Sequence, residues 1–242
     1  RAMTESRFAS TRWSLVQLAG GENSPEGRAA LEELCSRYWY PLYAFLRRSG
    51  RAPEEAADLV QGLFTSLIER ESLGGADRDL GRFRSWLLGA LNHHVADVYK
   101  HKQALKRGGG HAIVSIDVDL AETRYHVLPV SDEKPEDLFD RQWAQTVMER
   151  SFESLGGEYK RRGQGELYDA LREALLADGE GVDRAQLAEQ LGMEAGALRV
   201  ALHRMRKRLR DHIESEVLET VGPEADLQAE IKDLLDALGQ RG

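Results

Sequence analysis

The sequence predicts an all-α protein: two helical domains joined by a flexible linker, with a C-terminal helical extension. Three observations predict it. Apolar residues recur at three- and four-residue spacing along most of the chain, the period of a helix that buries one face. Alternating apolar and polar runs, the mark of a half-buried strand, are nearly absent, and Ile113–Val118 alone reads as a short strand. The helical pattern lapses over residues 107–136, where Gly108–Gly109–Gly110, Pro129, Pro135 and scattered acids replace it. A lapse of about thirty residues is too long for a loop inside one compact domain and reads as a linker. The domains expected are residues 4–106 and 137–215, followed by the extension at 216–242.

The elements follow in order. From Pro25 to Arg48 the residues Ala29, Leu31, Leu34, Cys35, Tyr38, Trp39, Leu42, Tyr43 and Leu46 form a helical stripe. Ser24 is placed to cap it, with Pro25 at the first helical position, and Gly50 closes it. Pro41 lacks a backbone donor, so a kink or break is expected there. A second run, Pro53 to Glu71, carries Ala56, Leu59, Val60, Leu63, Phe64, Leu67 and Ile68; a third, from Arg82 to Leu105, carries Phe83, Trp86, Leu87, Leu91 and Val95. Beyond the linker the pattern resumes at Pro135 and runs through Trp143, Val147 and Phe152 to Leu155, where Gly156–Gly157 is expected to interrupt it. A helix over Glu166–Ala177 precedes a short one capped by Asp183, with Gln186 as its capping-box partner. Leu191–Gly192–Met193 turns the chain into a long helix over Glu194–Glu219. After Gly222–Pro223 a last segment sets Leu227, Ile231, Leu234, Leu235 and Leu238 on one face, expected to pack back on the second domain.

Composition narrows the class. With 41% hydrophobic and 31% charged residues in 242, the chain is neither disordered nor fibrous. No stretch of 18 apolar residues exists to span a membrane, so no membrane partner is expected. Arg1 to Arg12 is polar, without the apolar core of a secretory signal, and residues 1–3 read as a cloning remnant. Cys35 is the single cysteine, so no disulfide framework exists and a cytoplasmic location is expected. The net charge of −8 argues against a uniformly cationic surface, yet that average hides a strong local asymmetry.

The asymmetry lies in Val182–Arg210, VDRAQLAEQLGMEAGALRVALHRMRKRLR. A short capped helix, a turn at glycine and a longer helix make a helix-turn-helix. The second helix carries Arg199, His203, Arg204, Arg206, Lys207, Arg208 and Arg210, while Leu198, Leu202, Met205 and Leu209 form the opposite stripe. A cationic helix after such a turn suits the DNA major groove, and its cations gain affinity by displacing condensed counterions. Glu194 at the helix start complements the helix dipole but repels phosphate.

With these residues in view, the chain resembles a bacterial sigma factor of the extracytoplasmic-function type, over about Thr11 to Arg210. The stretch LAEQLGMEAGALRVALHRMRKRLR is similar to that family's region 4, the reader of the −35 promoter element. The stretches Tyr38–Phe45, Glu54–Ile68 and Gly81–Lys100 are similar to its region 2, which binds core RNA polymerase and opens the −10 element. Trp13 with its neighbours and Lys106–Gly110 resemble a subgroup from bacteria rich in Ser/Thr kinases. The resemblance implies promoter DNA and core RNA polymerase as partners, and no enzymatic activity. It implies −35 contacts from Arg199 and His203 near bases and from Arg204, Arg206 and Lys207 toward phosphates. It places Arg82, Arg84, Asn92, His93 and Lys100 toward the −10 DNA, and Glu54, Glu55, Asp58 and Gln61 toward the polymerase. Phe83 and Trp86, three apart on the apolar stripe, are expected in the core.

One departure stands out. Ala57 and Gly62 hold positions where members of the family commonly have acids, which removes two charges from the polymerase-binding helix. Thr65, seven residues after Asp58, shares its face. A phosphate there adds about −1.5 to −2 charges, close to what is missing. Phosphorylation of Thr65 is therefore expected to switch polymerase binding on, with a Ser/Thr protein kinase as a further partner; an anti-sigma factor is another partner the resemblance admits. The competing reading is a helix-turn-helix regulator that binds palindromic DNA as a dimer, without a sigma role. No phosphate loop, HExxH or GxSxG stands in the chain, so an enzyme is not expected. His93 and His94 are adjacent and diverge on a helix, so neither a metal site with His101 nor any cofactor is expected.

Overall fold

In the computed structural model every regular element among the described residues is an α-helix. The structure describes residues 25–69, 83–104, 116–128, 132–176, 183–219 and 227–239. We number the helices α1 (Pro25–Arg48), α2 (Pro53–Glu69), α3 (Phe83–Ala104), α4 (Val118–His126), α5 (Pro135–Arg161), α6 (Gly165–Leu176), α7 (Arg184–Gln190), α8 (Ala195–Leu218) and α9 (Leu227–Gly239). Ser24, Arg82, Trp13 and the Lys106–Gly110 run lie outside the described residues. Among the described residues no helix is long and apolar enough to cross a membrane.

The chain divides into two units, residues 1–146 with 217–242, and residues 147–216. In the first, α1 packs on α2, and α2 packs on α3. Their apolar stripes meet: Leu34, Tyr38, Leu42 and Tyr43 of α1, Leu59, Val60, Leu63 and Phe64 of α2, and Phe83, Leu87 and Leu91 of α3 are all buried. The aromatic rings interlock edge to face, with Tyr38 and Phe83 centroids 5.4 Å apart. Pro41 breaks nothing, because α1 continues through it to Arg48. The helix then ends at Gly50, which takes φ +83°. There the amide of Arg51 donates to the Leu46 carbonyl at 3.0 Å and that of Gly50 to the Arg47 carbonyl at 3.0 Å, the Schellman pattern of a glycine-terminated helix.

Within the stretch expected as a linker, Val118–His126 is helical, and so is Val118 of the expected strand. Asp117 caps α4, its carboxylate accepting from the Leu120 amide at 3.0 Å. Ala121 is fully buried, and α4 packs on both α1 and α2. A polar cluster secures it. The Tyr43 hydroxyl donates to Glu122 at 2.6 Å, and Arg47 grips the same carboxylate through Nε at 2.7 Å and Nη2 at 2.9 Å. The Arg124 guanidinium lies 4.0 Å from the Tyr40 ring centroid. The short helix escapes the sequence pattern because Ala121 is its single buried residue. Leu138, Phe139 and Trp143, from the first turns of α5, are also buried residues of this unit.

The C-terminal helix α9 belongs to the first unit, against the expectation that it packs on the second domain. Leu234 is fully buried and Glu230 is buried with it, whereas Leu235 of the expected stripe is 57% exposed.

The second unit has one core. Phe152, Leu155 and Tyr159 of α5 meet Tyr168 and Leu171 of α6, Leu187 and Ala188 of α7, and Leu198, Leu202, Met205 and Leu209 of α8. Gly156–Gly157 does not interrupt α5, which runs through to Arg161. Gly156 is instead where the helix admits a ring: a Cβ there would stand 3.0 Å from Tyr168 Cε1. The Tyr168 hydroxyl donates to the Phe152 carbonyl one turn earlier at 2.6 Å, which fixes the ring in that notch.

Two outcomes follow from this packing. Gly156→Ala gains about 1 kcal/mol of helix propensity but forces the hydrogen-bonded Tyr168 ring to shift, a crowding cost of about 2 kcal/mol; urea denaturation should show a net loss of about 1 kcal/mol. Glu122 is held below its ordinary value of 4.5, chiefly by its hydrogen bonds from Arg47. A carboxylate whose folded pKa is depressed stabilises the fold above its unfolded pKa and loses that contribution as pH falls through the folded value. Denaturation followed below pH 4.5 should therefore show stability falling more steeply with acid in the parent chain than in Glu122→Gln.

Candidate nucleic-acid interface

The helix-turn-helix forms as its residues dictate. Asp183 accepts from the amides of Ala185 at 2.9 Å and Gln186 at 3.3 Å, so α7 starts with its leading donors satisfied. It ends in a second Schellman turn: Gly192 takes φ +62°, the Met193 amide donates to the Ala188 carbonyl at 2.8 Å, and the Gly192 amide to the Glu189 carbonyl at 3.0 Å. A side chain at position 192 would strain this left-handed conformation. The Glu194 carbonyl then accepts the first helical bond of α8, from Leu198 at 3.0 Å.

Along α8 the partition is clean. Leu198, Leu202, Met205 and Leu209 are buried, and Arg199, His203, Arg204, Arg206, Lys207 and Arg210 are exposed. No acid stands between Glu194 and Asp211. All five residues expected to meet −35 DNA therefore share the solvent side of one helix. Arg208 does not join them. It leans over the Tyr159 ring at 5.7 Å and lies 3.5 Å from Glu158, which also binds Arg162 at 2.8 Å and His212 at 3.3 Å. In the sequence Arg208 groups with the other cations opposite the leucine stripe, and its partner Glu158, fifty residues away, had no sequence signal.

On α3, Asn92, His93 and Lys100 are exposed, as a role toward −10 DNA requires; Arg82 lies outside the described residues. Phe83 is buried in the core as expected, and Trp86, half-buried, stacks on it at 5.5 Å. Arg84 is the correction. Its side chain is 6% exposed, its Nη1 donates to Glu230 of α9 and its Nε to Asp140 of α5 at 3.2 Å. Its guanidinium lies 4.3 Å from the Trp143 ring centroid. Burial works against the charged form, and Glu230 and Asp140 overcome it, holding Arg84 above its ordinary value. Arg84 is buried and paired within the fold, which removes it from the exposed candidates for −10 contact. Sequence pattern missed this because the carboxylate that buries it is contributed by α9, 146 residues downstream.

On α2, Glu54 and Asp58 are exposed and Gln61 is half-exposed, so they share one accessible face. Glu55 is engaged within the unit, accepting from the Tyr99 hydroxyl, which in turn accepts from Arg51 at 2.5 Å. Thr65 is half-buried on the same side as Asp58. The two positions read as missing acids are of a different kind. Ala57 is 2% exposed, and a Cβ at Gly62 would stand 2.8 Å from His94 Nε2 of α3. Ala57, buried in the core, is therefore no vacancy on a charged surface, while at half-buried Gly62 a side chain would have to displace the imidazole end of His94. Among the described residues no group of three His, Cys, Asp or Glu side chains is arranged to hold a metal. Cys35 is buried, and burial pushes its thiol up to about 12, which leaves it unreactive near neutral pH.

No protein-family model matches this chain, and no curated protein or solved structure matches it either.

The buried pair on α3 and α9 carries its own measurement. Glu230→Ala leaves Arg84 without its most buried counter-charge and should cost about 3 kcal/mol in urea denaturation. Asp233→Ala removes a carboxylate 3.9 Å away and 41% exposed. That variant should lose under about 1 kcal/mol.

Proposed function

We propose that this chain is a promoter-specificity factor of the sigma type, which joins core RNA polymerase, recognises duplex −35 DNA with α8, and engages −10 DNA with α3. One observation carries the reading. A capped helix, a glycine turn and a helix with an acid-free cationic face are assembled on a single core, which holds that face toward solvent, as entry into a phosphate-lined groove requires. Arg199, Arg204, Arg206 and Lys207 are the cations for the duplex, and His203 stands among them with hydrogen-bonding capacity for a base edge. Asn92, His93 and Lys100 serve the −10 strand. Glu54, Asp58 and Gln61 form the polar face for the polymerase. Thr65 adjoins that face, so its phosphorylation adds negative charge where a basic partner docks, independently of Ala57 and Gly62.

The experiment is in-vitro transcription with bacterial core RNA polymerase and genomic fragments, using the full chain, its Thr65-phosphorylated form and Thr65→Ala. Defined starts that depend on the chain are expected, with phosphorylation raising their yield and Thr65→Ala insensitive to the kinase. Arg204→Ala or Lys207→Ala should weaken promoter binding and reduce its salt slope by about 1. A chain that never directs initiation in either form, yet protects palindromic DNA as a dimer, overturns the proposal in favour of an ordinary helix-turn-helix regulator.

A further inference from the structure

The exposed side of α8 is not uniformly cationic. At about 100° per residue, the direction opposite the core stripe of Leu198, Leu202, Met205 and Leu209 is occupied by Gly196, Val200, His203 and Lys207, spaced i, i+4, i+7 and i+11. Arg199, Arg206 and Arg210 lie to one side of this line and Arg204 to the other. Val200 sits at its centre and is 48% exposed.

Folding does not account for this valine. It packs against no core, and a β-branched residue on an open helix face is a poorer helix former than alanine. Groove geometry does. A helix about 10–12 Å across fills a major groove about 12 Å wide, so residues opposite the core face the groove floor and those at the flanks face the phosphate walls. Gly196, one turn earlier, has nothing within 4 Å of where a Cβ would stand, and lacking a side chain it lets the helix start approach the floor. The isopropyl group of Val200 has no donor or acceptor. The thymine C5-methyl is the apolar group that a base pair displays in the major groove.

The geometry points to Val200 as a specificity-determining residue that reads a thymine methyl in the duplex element bound by α8, with the flanking arginines positioning the helix on phosphates. The assignment rests on the proposal that α8 enters DNA.

The test selects duplexes from a randomised pool with the full chain, alone and with core RNA polymerase, and then replaces each thymine of the selected element by uracil, which removes only the methyl. One replacement should weaken binding by the parent chain about fourfold, the worth of one buried methyl group. Val200→Ala should bind the thymine duplex about as weakly as the parent binds the uracil duplex, and should be indifferent to that replacement. Val200→Thr, which keeps one methyl at the branch, should remain sensitive. A parent chain indifferent to every replacement, or a Val200→Ala chain as sensitive as the parent, overturns the assignment and leaves DNA binding by α8 standing. A chain that selects no duplex overturns both. Selection without transcription leaves Val200 in its role and removes the sigma reading alone.

Discussion

The burial of one stripe of α8 is the constraint on which the cationic surface depends. Leu198, Leu202, Met205 and Leu209 are held against Phe152, Leu155, Tyr159, Tyr168 and Leu171, and that contact sets the rotation of the helix about its axis. With the rotation set, six cations in twelve residues cannot distribute themselves freely. Five are directed into solvent and Arg208 is drawn to Glu158. A cationic helix without this anchor would present the same charge with no defined face, enough for counterion release but not for a register on bases. Tyr168 contributes from a distance, because its seat against Gly156 brings α6 close to α5 and so shapes the floor on which α8 rests.

The first unit is organised around polar groups placed inside it. Arg84 joins α3 to α9 and the start of α5 through Glu230 and Asp140, and Glu122 joins α4 to α1 through Tyr43 and Arg47. Both clusters tie segments distant in sequence to the three-helix core of α1, α2 and α3. Buried ion pairs contribute little net stability compared with apolar packing, but they penalise any arrangement that leaves one partner alone. The two clusters therefore specify where α4 and α9 go more than they hold the unit together. On α3, then, Arg84 at the start belongs to the interior, whereas Asn92, His93 and Lys100 further along belong to the surface.

Much of this was legible in the sequence. The helices at 25–48, 53–69, 83–104 and 195–218 follow from the spacing of their apolar residues, and Asp183, Gly50 and Gly192 mark ends where side-chain chemistry or left-handed backbone demands them. The exposed −35 candidates followed from the same periodicity. Where the reading failed, the missing quantity was a neighbour. Gly156 signalled a break when read alone and is a notch once Tyr168 is beside it; Ala57 read as a lost acid until its burial was known, and Gly62 until His94 was seen beside it.

By itself, then, the sequence determined the all-helical class, the capped helix-turn-helix and the separation of charge from leucine along α8, because each depends on residues within a turn or two of one another. Tertiary structure alone decided that Arg84 is interior, that α4 is ordered against α1 and that α9 joins the first unit. Each of those outcomes turns on pairing a buried or partly buried charge with a partner from 56 to 146 residues away, and local periodicity holds no information about which carboxylate will arrive.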